Sequence, residues 1–165
     1  MEKNLYKKLE KIVVNTGIGR LATSSADFTN KVLPEVEKEF AVITGQKAQQ
    51  RTAKQSISGF KIREGMVIGL KATLRGKMME KFLDKLVKTV LPRLRDFRGI
   101  SFKNIDQGGN LTIGIKEQVV FPEIIAESSR VNFGIQAIIV PKEITREEAV
   151  ELYKNLGIPF RKDNK

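Results

Sequence analysis

The stretch MVIGLKATLRG, starting at Met66, alternates apolar with small or polar side chains over ten residues. Neighbouring side chains of a strand point to opposite faces. Alternation of this length therefore describes a strand covered on one side only. Ile68, Leu70, Ala72 and Leu74 share one face, and Gly69, Lys71, Thr73 and Arg75 share the other. NLTIGIK repeats the pattern, with Leu111, Ile113 and Ile115 opposite Asn110, Thr112, Gly114 and Lys116. In VNFGIQAIIV, Phe133, Ile135, Ala137 and Ile139 oppose Gly134 and Gln136. The first strand, EKIVVNTGIG (Glu10–Gly19), sets Ile12 and Val14 against Lys11, Asn15 and Gly17, although Val13 blurs it. QKAQQRT reads as a weaker strand.

Such greasy faces need a cover, and the helical segments supply one. A helical pattern runs from about Ser25 to Ile43, with Asp27 as N-cap and Gly45 after its end; Pro34 should kink or split it. KMMEKFLDKLVKTVL places Met79, Phe82, Leu83, Leu86, Val87 and Val90 on one face and stops near Pro92. A last helix starts at Thr145, with Glu148 placed as in a capping box, and ends by Gly157. The mix points to the α+β class: two layers, a largely antiparallel sheet with helices packed on one face. With 165 residues and neither repeat nor linker, the chain reads as a single domain spanning 1–165.

Charge then narrows the partner. The formal net charge is +11, and its distribution is uneven. Residues 46–75 hold seven basic side chains and one acidic, whereas 110–165 balance at eight each. A concentrated excess of this kind suits a polyanion, above all nucleic acid. No apolar run is long enough for a membrane span. The chain has no histidine and no cysteine, which removes imidazole acid–base chemistry, thiol chemistry and the usual zinc ligands. The carboxylate clusters Glu35/Glu37/Glu39 and Glu147/Glu148/Glu151 sit on helical segments beside basic residues, as solvated faces do. These features argue against an enzyme and imply neither metal nor cofactor.

GIGRLA, Gly17 to Ala22, matches the glycine spacing of a dinucleotide turn. Its next strand, QKAQQRT, lacks the carboxylate such a site requires, and no second βαβ half follows. Its glycines equally suit a plain strand exit. The polar sheet face also admits two readings. It is either a solvated face or, given Gly69, Gly114 and Gly134, a surface closely approached by another backbone such as RNA. KQSISGFKIREGM, beginning at Lys54, is a basic loop without periodicity. Phe60 there either folds into a small satellite core or meets a base or ribose while Arg51, Lys54, Lys61 and Arg63 hold phosphates.

Seven segments occur in order: LEKIVVNTGIG, ITGQKA, SISGFKIREGM, IGLKATLRG, LPRLRDFRGI, GNLTIGIKEQVVFPEI and LGIPFR. From about Leu9 to Arg161 they closely resemble the bacterial-type large-subunit ribosomal protein five family. The resemblance implies a non-enzymatic constituent of the central protuberance, in the ribosome and hence cytoplasmic. It implies a protein that binds 5S rRNA on its open sheet face and helps attach it to 23S rRNA. Further implied partners are P-site tRNA, neighbouring large-subunit proteins and a small-subunit protein across the subunit interface. Carried over by motif, the rRNA-binding set is Lys11, Asn15, Gly17, Gln46, Phe60, Arg63, Lys71, Thr73, Arg75 and Gln136. The loop Ala53–Lys61 corresponds to the tRNA-facing loop, through Lys54, Gln55, Ser56, Ile57, Ser58, Gly59, Phe60 and Lys61. Relatives usually have a longer helical lead-in than residues 1–8 here, and commonly carry an aspartate where Gln136 stands. Thr16 stands where relatives commonly have a larger side chain, and DQGGN lacks the arginine often found in that turn.

Overall fold

A computed structural model describes residues 5–25, 27–95 and 97–161. Its five strands are β1 (Leu9–Gly17), β2 (Gln49–Thr52), β3 (Val67–Leu74), β4 (Leu111–Ile115) and β5 (Ile135–Pro141). They form one antiparallel sheet in the order β2-β3-β1-β5-β4. The helices are α1 (Gly19–Ser24), α2 (Leu33–Thr44), α3 (Gly76–Lys85), α4 (Leu91–Arg93) and α5 (Arg146–Asn155). The fold is α+β, as the alternation requires.

Contacts divide the chain into two compact units, Met1–Val13 with Thr73–Gly114 and Ala137–Lys165, and Val14–Ala72 with Ile115–Gln136. In the first, Ile12, Leu74, Leu111, Ile113, Ala137 and Ile139 are buried from the strands, and Phe82, Leu83, Leu86, Ala149 and Leu152 from the helical segments. Tyr153 is buried too, and its hydroxyl donates to the Gly109 carbonyl at 2.7 Å. Desolvation there raises its ionisation above the ordinary tyrosine range, so it stays a neutral donor. In the second unit, Val14, Leu70, Ala72, Ile115 and Ile135 are buried from the strands, with Val36, Phe40 and Ile43 from α2.

The helical pattern expected over Ser25–Ile43 is interrupted near Pro34, as that proline requires, into a π-turn over Phe28–Val32 and α2. The separate helix α1 ends at Ser24, before it. A second π-turn, Leu86–Val90, joins α3 to α4. Each π-turn is followed, two residues on, by a proline, and the cause is geometric. A proline ring collides with the carbonyl four residues back and offers no N–H to it. Just before each proline the ladder widens by one residue, Leu33 N–H reaching the Phe28 carbonyl and Leu91 N–H the Leu86 carbonyl. Asp27 caps nothing with its side chain; it pairs with Lys31 at 2.8 Å. Gly45 does close α2, in the left-handed region at φ 72°. Thr145 and Glu148 form the expected capping box on α5.

The strand anticipated over VNFGIQAIIV begins only at Ile135. Side chains take the backbone groups that a ladder would otherwise use. Thr16 Oγ1 donates to the Gly134 carbonyl at 2.7 Å, and the Phe133 N–H donates to Gln118 Oε1 at 3.1 Å. Gln118 is fully buried, and its amide also donates to Glu39 (3.2 Å), Ser129 (3.1 Å) and the Val131 carbonyl. The sequence gives no hint of this hub.

Candidate nucleic-acid interface

In the second unit the outward positions of β1, β3 and β5 carry Asn15, Gly17, Lys71 and Gln136; Gly17 and Gln136 are exposed, Asn15 and Lys71 partly so. All four residues of β2, Gln49 to Thr52, are exposed. Gln46 follows the end of α2, where its N–H meets Thr44 Oγ1 at 3.3 Å. In the first unit the same strand parity leaves Lys11 and Thr73 half-buried and Arg75, beyond the end of β3, exposed.

The glycines of this face have separate reasons. A Cβ on Gly69 would lie 3.0 Å from the Thr16 carbonyl, and one on Gly134 would lie 3.2 Å from that of Ile115. The close backbone at both positions is the chain's own, so neither marks an approaching ligand. Gly17 and Gly114 have nothing within 4 Å and leave open surface. The face also carries half-buried Val13, Ile138 and Val140, which makes it less polar than alternation suggested.

GIGRLA does not build a dinucleotide site. Gly19 opens a helix of six residues, and β3 lies between β1 and β2 in the sheet, whereas a βαβ unit sets successive strands in parallel.

The basic loop is an internally hydrogen-bonded finger. Ala53 N–H donates to Met66 at 2.8 Å and Gly65 N–H to Ala53 at 2.9 Å, closing its base. Further out, Ile57 and Ile62 exchange backbone bonds at 2.9 and 3.2 Å, and the Glu64 N–H donates to Ser56 Oγ at 2.9 Å. A single 3-10 turn, Ser58–Phe60, makes the tip, and Lys61 leaves it at φ 54°. Phe60 is 70% exposed and Ile57 47%. Phe60 therefore joins no satellite core, and that alternative falls. Lys54, Gln55, Ser56, Ser58, Gly59, Lys61 and Arg63 are exposed with it.

The electrostatics separate these cations from Lys11. Lys11 Nζ sits 2.8 Å from Glu10, whose carboxyl is held below its usual range by that bond and charge, and further by Arg75 and Lys142. Lys11 is thus already partnered. Lys47, Arg51, Lys54, Lys61, Arg63, Lys71 and Arg75 make no ion pair among the described residues. Such unneutralised cations suit an anionic ligand. Among the described residues no group of His, Cys, Asp or Glu could hold a metal ion, and no helix is long and apolar enough to cross a membrane.

Matches to known families cover nearly the whole chain. Residues 7–63 match the family model described as Ribosomal protein L5, and residues 67–160 match that of the ribosomal L5P family C-terminus. The two matches meet where the finger closes, between Arg63 and Val67. With more than half of its length in one of these matches, the chain belongs to the ribosomal protein L5 family, structural proteins of the large ribosomal subunit.

Proposed function

We propose that the chain acts as one RNA-binding domain that holds 5S rRNA on its open sheet face. It helps attach that RNA to 23S rRNA in the central protuberance and contacts P-site tRNA through the finger. Neighbouring large-subunit proteins and a small-subunit protein complete its partners, and its role is structural rather than catalytic. The observation that carries this reading is the set of cations, without an ion pair among the described residues, that accompany the small, polar groups of the sheet. Lys and Arg there supply phosphate neutralisation, while Asn15, Gln46, Thr73 and Gln136 offer hydrogen bonds that read RNA shape. Gln136 both donates and accepts, so an RNA contact at that position survives the loss of a carboxylate.

Filter binding to purified 5S rRNA tests the sheet. Thr73→Val with Arg75→Ala should lower affinity roughly tenfold or more at moderate salt. Unchanged affinity would make the sheet-face assignment wrong. Equal binding of an unrelated duplex RNA would favour a generic nucleic-acid module instead.

The finger is expected to have a separate task. Phe60→Ala with Lys61→Ala should impair P-site tRNA retention on ribosomes rebuilt with the variant, while changing 5S rRNA affinity less than about threefold. Equal loss of both, or of neither, rejects this division.

A further inference from the structure

A second aromatic surface lies in the first unit and shares no residue with the finger or with the outward sheet positions considered so far. Phe102 and Phe160 stack with ring centroids 4.8 Å apart and planes 4° from parallel. They line a shallow groove of about 460 Å³ with Lys154, Gly157, Ile158 and Arg161. Both rings are half-exposed, and Lys154 and Arg161 are exposed. Lys154 Nζ stands 5.6 Å from the Phe102 centroid. Among the described residues no carboxylate lines the groove.

The rings are held by backbone. Ile100 N–H donates to Pro159 and Arg161 N–H to Ile100, both at 2.9 Å, so the two segments run side by side. Gly99, at φ 97°, permits that approach. Arg146 ties down the turn that carries Phe102, donating to the Phe102 carbonyl at 3.2 Å. The platform is therefore set before any ligand arrives.

We infer that this groove takes one unpaired nucleotide of single-stranded RNA, its base stacked on the Phe102–Phe160 pair and its phosphate between Lys154 and Arg161. Parallel aromatic faces accept any base, and the two cations beside the rings supply the charge that a nucleotide's phosphate needs. The site is independent of the sheet face and does not rest on the 5S rRNA reading.

The test uses the full chain and a single-stranded hexanucleotide bearing one 5-iodouridine, irradiated and mapped by mass spectrometry. The adduct is expected on Phe102 or Phe160. Phe160→Leu, which keeps an apolar side chain, should weaken hexamer binding about fivefold or more with an unchanged melting temperature. Lys154→Gln with Arg161→Gln, which removes the one phosphate contact, should reduce the salt slope by roughly 0.7 without moving the adduct. The Thr73→Val, Arg75→Ala chain should keep the adduct, so a failed 5S rRNA assignment and a failed groove are separately visible. Adducts only on the finger or sheet, wild-type binding by Phe160→Leu, or equal binding of an abasic hexamer would each overturn the inference. Tighter groove binding of a hexaglutamate peptide would overturn it as well.

Discussion

Raising salt from about 50 to 200 mM is expected to weaken 5S rRNA binding by roughly three to five decades. The magnitude follows from counterion release: each phosphate neutralised by Lys or Arg frees condensed cations, and that gain shrinks as bulk salt rises. Seven cations between residues 46 and 75 have no ion pair among the described residues, so none must first leave a carboxylate there. With Lys54 and Lys61 left to tRNA, the other five alone would set a logarithmic salt slope of about −4.5, and cations elsewhere on the chain add to it. Replacing Arg51 and Arg63 by alanine should flatten that slope by about two, whereas Lys11→Ala, which removes a cation held by Glu10, should alter it least. Titrations at four salt concentrations distinguish these cases. A slope flatter than about −2 would mean that the basic segment is mostly solvated surface.

Gly99→Ala is expected to destabilise the protein by roughly 2–4 kcal/mol, the sum of left-handed strain and a backbone clash. At φ 97° the new Cβ would lie 2.6 Å from the Arg161 nitrogen and 2.7 Å from the Phe160 carbonyl carbon. Those atoms belong to backbone and cannot rotate aside. The residues 158–161 must move away, breaking the bonds between Ile100 and its partners Pro159 and Arg161. In a chain of this length the loss corresponds to a melting temperature lower by roughly 5–15 °C. Gly17→Ala is the matched control, since nothing lies within 4 Å of that position. A thermal melt in which both variants behave alike would remove the steric account of Gly99.

Much of the sheet was legible because alternation is a local signal. Ile12, Val14, Leu70, Ala72, Leu74, Ile113 and Ile135 are buried, as their parity requires. The signal failed where the residues stop alternating. AIIV, ending at Val140, is apolar throughout, so no period reveals that Ile138 and Val140 face outward. Other losses had a different origin. Proline announces a break, but only the hydrogen-bond ladder shows that the break is a widened turn. Gln118 organises 118–133 through partners as distant as Glu39, a contact that no spacing can encode. The finger looked irregular because its order comes from backbone bonds between Ala53, Ile57, Ile62, Gly65 and Met66, which are indifferent to side-chain pattern. Its exposed Phe60 could be named in advance but not placed.

The short edge strand β2 has a bearing on life before assembly. One of its sides pairs with β3 and, among the described residues, no strand pairs with the other, a position from which sheets of different molecules often zip together. Here that rim is four polar residues long, carries Arg51, and shifts register between Arg51 and Thr52. Short length, a positive charge and an irregular step each oppose strand addition by a second copy. The cation on this edge thus also repels the same edge of a second chain, so a charge suited to a polyanion works against pairing of like with like.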